Sequence, residues 1–159
     1  MGRMADQLTF VKGHVTENDF VLVPDLEGAL DLSAPLTAAI ADRRAGVGGD
    51  GVIRVVPTEM SAEQAVRDQA PHARWFMDYR NADGSLSEMC GNGTRVFAAY
   101  LRREGLETAD EFAIATRASM RSSLSPARRA TWRMAITLPS ASVSMALTCR
   151  PMRTTPPVL

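Results

Sequence analysis

Glycine divides this chain. All 11 glycines lie before residue 118, and the last 42 residues hold none. Glycine reaches the positive φ of tight turns and lets backbone approach backbone or ligand closely, so a compact, turn-rich fold belongs to the first part. Charge breaks at the same place. Residues 1–117 carry 12 Lys and Arg against all 18 Asp and Glu, a net −6; residues 118–159 carry six Arg and no acid, +6. The two regions are read separately: 1–117 as one domain, 118–159 as an atypical basic tail. The tail is either an out-of-frame translation of a GC-rich gene or a disordered arm. Its six arginines are scattered rather than clustered, so no nucleic-acid partner is expected.

Within 1–117 the pattern alternates short β-prone runs with two helical stretches. Leu8, Phe10 and Phe20–Val23 predict two strands around a break at Gly13–Asp19. Ser33-Ala34-Pro35 has the form of an N-cap followed by proline in the first turn, and predicts a helix through LTAAIADRR that stops at Gly46. GVGGDG (46–51) is then a loop and VIRVVP a strand ended by Pro57. Residues 58–73 are polar and predict an exposed insertion or a short helix. ARWFMDYRNADGSLSEMC predicts a hairpin, turning on Asp83-Gly84 and returning through Leu86–Met89. TRVFAAYLRREG predicts a largely buried helix ending at Gly105, with Arg102 and Arg103 favourable in its last turn. EFAIATRA predicts one more strand. In the tail only Met134–Leu138 and Val143–Leu147 have strand character.

No run of 18 or more apolar residues exists, so no transmembrane helix is expected, and MGRMADQLTF lacks the apolar core of a secretory signal. Two cysteines, Cys90 and Cys149, make no disulfide framework and no CxxC pair. The expected compartment is the cytoplasm. His14, in the expected turn, and His72, in the polar insertion, form no metal-spaced cluster with Cys90, and no metal is expected. GVGGDG lacks the Lys-Ser/Thr of a phosphate loop and precedes a strand, so it reads as a helix cap and turn. Asp78, Asp83 and Glu88 read as turn or surface residues rather than a catalytic acid pair.

MCGNGTR (89–95) is the stretch with chemical content. A cysteine stands before two glycines and an asparagine, just where a helix is due to begin. The unpaired N–H groups of Gly91, Asn92 and Gly93 and the positive end of the helix dipole favour an anion there. That anion is either a thiolate or a substrate carboxylate, and the two can share one site, with the thiolate as base beside a carboxylate-bearing carbon. The competing reading is a small buried residue beside a tight turn.

Four motifs in order, KGHVTENDF (12–20), DRRAGVGGDG (42–51), YRNADGS (79–85) and EMCGNGTR (88–95), resemble the N-terminal half of diaminopimelate epimerase over about residues 8–117, in a form similar to the actinobacterial members. The resemblance implies an α/β (α+β) fold in which a curved, mostly antiparallel sheet wraps a central helix at about 94–104, one half of a two-domain architecture. It implies an isomerase of lysine and cell-wall precursor synthesis that needs neither pyridoxal phosphate nor metal. Two cysteines work from opposite faces of the substrate α-carbon, and Cys90 matches the first. Asn18 and Asn81 match substrate-binding asparagines, while Gly91 and Asn92 match the backbone cradle for the α-carboxylate. The substrate is a small diamino dicarboxylic acid, and a homodimer is a family tendency. Gly51 stands where the family has a substrate-contacting glutamine, so that role is not carried over.

The family is about twice this length, and its second cysteine precedes Gly-Thr-Gly. Cys149, in LTCRPM, has no such cradle and receives no catalytic role. A single thiol in a site open to water is expected to give little or no epimerisation. The alternatives are a proline racemase-like or phenazine biosynthesis-like isomerase, whose preferred histidine after the Cys-Gly pair is Asn92 here, and a non-catalytic fragment that binds a small acid or a partner.

Overall fold

A computed structural model describes residues 7–120 and 152–153. The expected fragments at 134–138 and 143–147, Cys149 and the character of the tail lie outside the described residues. A short antiparallel pair joins β1 (Gln7–Leu8) to β7 (Met152–Arg153). The main sheet has the order β2-β3-β4-β5-β6: β2 Val11–Val15, β3 Asn18–Pro24, β4 Gly51–Pro57, β5 Trp75–Asn81 and β6 Ile114–Ala115. It is a mixed sheet in an α+β fold. Pairs β2–β3 and β4–β5 are antiparallel, β3–β4 and β5–β6 parallel, and the longest pairing, Gly51↔Asn81 to Pro57↔Trp75, is antiparallel. Among the described residues no helix is long and apolar enough to cross a membrane.

The first hairpin is tighter than expected. Its turn is only Thr16 and Glu17, both at positive φ (45° and 66°), in a two-residue loop that Asn-Gly more often fills. Gly13 and His14 are therefore strand residues, and exposed His14 pairs with Asp19 across the ladder. The 58–73 segment folds as a 3-10 turn at Thr58–Met60 and one helical turn, α2 (Gln64–Arg67). The second expected hairpin is barely one. After β5 the returning chain makes a single bridge, Arg80↔Leu86. Leu86 and Met89 are about half exposed, so the returning chain has no buried face to hold a strand.

Both helices start at the signals in the sequence. Helix α1 spans Ala34–Ala41, and the Ser33 hydroxyl accepts from the Leu36 N–H at 3.3 Å. It stops before Gly46 because Asp42 turns the chain, its carboxylate accepting the Arg44 and Ala45 N–H groups at 2.7 and 2.8 Å. Helix α3 spans Gly91–Arg103 and ends at Gly105, φ +68°.

The sheet is buried on both faces, which is why β4 reads as an almost unbroken apolar run. On one face Phe20, Leu22, Ile53, Val55, Trp75, Met77 and Tyr79 meet Val96, Phe97, Tyr100 and Leu101 of α3. Gly13 permits this approach, because a Cβ there would lie 2.5 Å from Val96 Cγ1. On the other face Val21, Val23 and Val52 pack on Leu32, Ile40 and Ala41, and Val56 and Phe76 pack on Val66 and Ala115.

That second face also corrects the reading of Asp78 as a surface residue. It is fully buried. Its carboxylate accepts from Arg117 at 2.7 Å, Arg54 Nε at 2.9 Å and Arg80 Nε at 3.3 Å. Burial alone would raise this carboxyl, but the positive charge of Arg117 and Arg54 outweighs it and holds the group below its ordinary value. Asp83 and Glu88 are exposed as expected.

Candidate active site

Three strand ends and one helix start converge at one edge of the sheet. Asn18 opens β3, Gly51 opens β4 and Asn81 closes β5, with Gly51 facing both Phe20 and Asn81 in register. Helix α3 begins above them. Cys90 is its N-cap, in extended conformation (φ −137°, ψ 117°), and Sγ accepts from the Gly93 N–H at 3.4 Å. The Cys90 carbonyl accepts both the N–H (2.8 Å) and the hydroxyl (2.9 Å) of Thr94, which fixes the thiol's backbone from below. Sulfur thus occupies the position that a Ser or Asp oxygen usually fills.

The first helical turn is packed on one side and open on the other. A Cβ at Gly93 would lie 3.3 Å from both Ile53 Cδ1 and Cys90 Cβ, so α3 sits tightly on β4 here. Gly91 is exposed, with nothing within 4 Å of the position its Cβ would take. The first N–H groups of a helix have no intrahelical partner, and the open side of this turn lies directly beside a half-buried thiol.

Asn92 Nδ2 donates to Asn18 Oδ1 at 2.6 Å, and Asn18 Nδ2 donates to Asp50 Oδ2 at 3.1 Å. The structure therefore joins Cys90, Gly91, Asn92 and Asn18 in one site. Asn81 lies at the same edge, but its side chain is engaged in its own turn, donating to Ser85 Oγ at 2.9 Å.

A charged cluster behind the asparagines was not anticipated. Arg43 donates to Asp19 at 2.6 and 3.0 Å and to Asp50 at 2.9 Å. Lys12 lies 2.7 Å from Asp19 and also donates to the Gly48 carbonyl. The Arg43 hydrogen bond, against some desolvation and helped by Lys12, holds the Asp19 carboxyl well below the usual carboxylate range. The available signal was slight: Asp50 is the one charged residue in GVGGDG, and Lys12 the only lysine.

Gly51 has a steric reason. A Cβ there would collide with the Tyr79 ring and lie 2.9 Å from its hydroxyl. Tyr79 fills the space a side chain at 51 would need, and it packs edge-on against Phe20 at 5.9 Å. Burial, and then negative charge at Cys90 and Asp50, push the Tyr79 phenol up. It stays protonated at neutral pH, a hydroxyl donor within electrostatic reach of the thiol.

The family profile for diaminopimelate epimerase matches residues 10–127. The diaminopimelate epimerase of Streptomyces coelicolor is 54% identical over 118 residues, which are 74% of this chain and 40% of that protein. Those of Rhodococcus opacus and Thermobifida fusca are 56% and 57% identical, over 70% and 72% of this chain and 40% and 42% of theirs. The chain thus spans about two fifths of the length of these relatives. A solved PhzF-family phenazine biosynthesis protein of Bacillus anthracis superimposes with TM-score 0.42 at 22% identity, over 70% of this chain and 33% of that one. Since the profile covers most of the chain, this protein belongs to the diaminopimelate epimerase family.

Proposed function

We propose that residues 1–117 carry one side of a cofactor-independent epimerase site for diaminopimelate, with Cys90 as the base or acid on one face of the α-carbon. The observation that carries this reading is the N-cap position of Cys90. A donor at Sγ and the free N–H groups of an open first turn let one helix end serve both a thiolate and a substrate carboxylate. The Cys90 thiolate takes the α-proton, the S–H bond forms as the Cα–H bond breaks, and the electron pair left on carbon spreads into the adjacent carboxylate. The nearby N–H groups stabilise that charge. Return of a proton from the same face restores the starting isomer; return from the opposite face gives the epimer.

Among the described residues Cys90 is the only thiol, so a second thiol for the opposite face of the α-carbon is not among them. On this reading the protein serves lysine and cell-wall precursor synthesis in a reducing cytoplasm, where Cys90 stays a free thiol.

The test is α-proton exchange. The full chain is incubated with LL- or meso-diaminopimelate in D2O, and the α-proton is followed by NMR. We expect slow deuterium entry, lost in Cys90→Ala, with little or no change of isomer. Exchange unaffected by Cys90→Ala would leave only a ligand-binding role. Isomer interconversion at the rate of a two-thiol enzyme would overturn the one-sided site.

A further inference from the structure

Asp50 sits where it decides the orientation of two other side chains. An ionised carboxylate only accepts hydrogen bonds, whereas an asparagine amide has a donor end and an acceptor end that are nearly equal in shape. Asp50 Oδ2 accepts the Asn18 Nδ2–H and the Asp19 N–H, both at 3.1 Å, and Oδ1 accepts from Arg43 at 2.9 Å. Asn18 must therefore turn its nitrogen toward Asp50. Its oxygen is left facing α3, where it can be met only by a donor. Asn92 supplies that donor, Nδ2, at 2.6 Å. With its nitrogen committed, Asn92 keeps Oδ1 as the end not engaged by a described residue. One negative charge at the start of β4 thus fixes a donor-to-acceptor sequence that runs through Asn18 to the first turn of α3.

We propose that Asp50 is a positioning residue that locks the amides of Asn18 and Asn92 in one orientation, so that the rim beside Cys90 combines backbone N–H donors with a side-chain carbonyl acceptor. That combination complements a zwitterionic α-amino acid, which carries a carboxylate and an ammonium on one carbon; this last step rests on the substrate class proposed above. The lock itself does not. Arg43, which touches Asp50 from the solvent side and is more than half exposed, holds the carboxylate in place but contributes no polarity to the asparagines.

The experiment reads the lock and the ligand separately, on the full chain. Side-chain amide resonances of Asn18, Asn92 and Asn81 are assigned by NMR in the unsubstituted protein, Asp50→Asn and Arg43→Gln. Asp50→Asn keeps the shape and removes the acceptor-only character. We expect it to shift both Asn18 and Asn92, leave Asn81 in place, and weaken diaminopimelate binding about tenfold, the effect of one unmade polar contact. Arg43→Gln should leave both asparagine signals at their original positions. A purely structural staple would shift Asn18 alone. An Asn92 signal that stays put in Asp50→Asn, or that moves equally in Arg43→Gln, overturns the proposal. Should Asp50→Asn fail to fold, Asp50→Ser decides, because it removes the charge and leaves a group that can both donate and accept. The Asn18 and Asn92 signals must move together in it. Separate behaviour of the two amides again overturns it. Absence of diaminopimelate binding with both amides coupled to Asp50 would overturn the substrate class and leave the lock standing.

Discussion

Asp78→Asn removes one negative charge at nearly constant shape from the centre of a buried ion cluster. The wild-type carboxylate accepts from three guanidinium groups at 2.7, 2.9 and 3.3 Å. In the variant one oxygen becomes an NH2 group that faces donors. Arg54 keeps Asp25 at 3.3 Å and the Leu30 carbonyl at 2.6 Å, and Arg117 keeps Glu63 at 2.7 Å. Removing one partner from a buried pair typically costs about 3–5 kcal/mol, because the other charge is left uncompensated. The surviving partners of Arg54 and Arg117 place the expectation at the low end, about 3 kcal/mol. Against a total stability of about 5–15 kcal/mol, that lowers a urea midpoint by roughly 1–3 M with an unchanged slope. Far-UV circular dichroism of the full chain reads this directly. A loss below about 1 kcal/mol, the value of an exposed pair, would mean that the cluster is solvated or dispensable and would refute the argument. A double variant with Arg117→Met should lose less than the sum of the two single changes, because the pair is in direct contact.

The same carboxylate predicts an acid limit. Its folded pKa lies below the ordinary 3.8, so its contribution is fully present above that value and is lost as pH falls through the folded pKa. Unfolding followed below about pH 4 should show this loss in the wild type, and the component should be missing from Asp78→Asn. At the helix–sheet contact, Gly13→Ala places a methyl group 2.5 Å from Val96 Cγ1, an overpacking of about 1–3 kcal/mol. Thermal unfolding should report it, and Val96→Ala should restore part of the lost stability; no rescue would place the damage elsewhere.

Local signals in the sequence were read well where their partners are local. Ser33 and Pro35 mark the start of α1 because the cap bond spans three residues. Gly105 marks the end of α3 because its positive φ is a property of one position. The end of α1 was misplaced because a side chain, Asp42, competes with the helix for the next two N–H groups. The return strand after Gly84 was overestimated for a different reason. The turn chemistry at 81–85 is real, but a strand also needs a packed face, and Leu86 and Met89 find none. Asp78 was misread because alternation places it correctly opposite Met77 but cannot say that its face is also covered. Its donors Arg54 and Arg117 come from 24 and 39 residues away. The link from Asp50 to Asn18 to Asn92 spans separations of 32 and 74, so no reading of adjacent residues reaches it.

The same geometry explains why glycine stands at four positions around the site, 13, 51, 91 and 93. For Cys90 to cap α3 beside Asn18, the helix must lie close over β2 and β4. Gly13 and Gly93 each remove a Cβ that would keep it away. For the Tyr79 ring to lie where it does, the β4 residue beside it can have no side chain, and Gly51 has none. Gly91 has no such neighbour, and it is the residue at which the first turn opens to solvent. Glycine thus has two distinct tasks here. At 13, 51 and 93 it lets the core close, and at 91 it leaves a surface bare. A methyl group at the first three should act on stability first and on ligand binding only through it, whereas a methyl at Gly91 should leave the fold intact and obstruct whatever approaches the helix end.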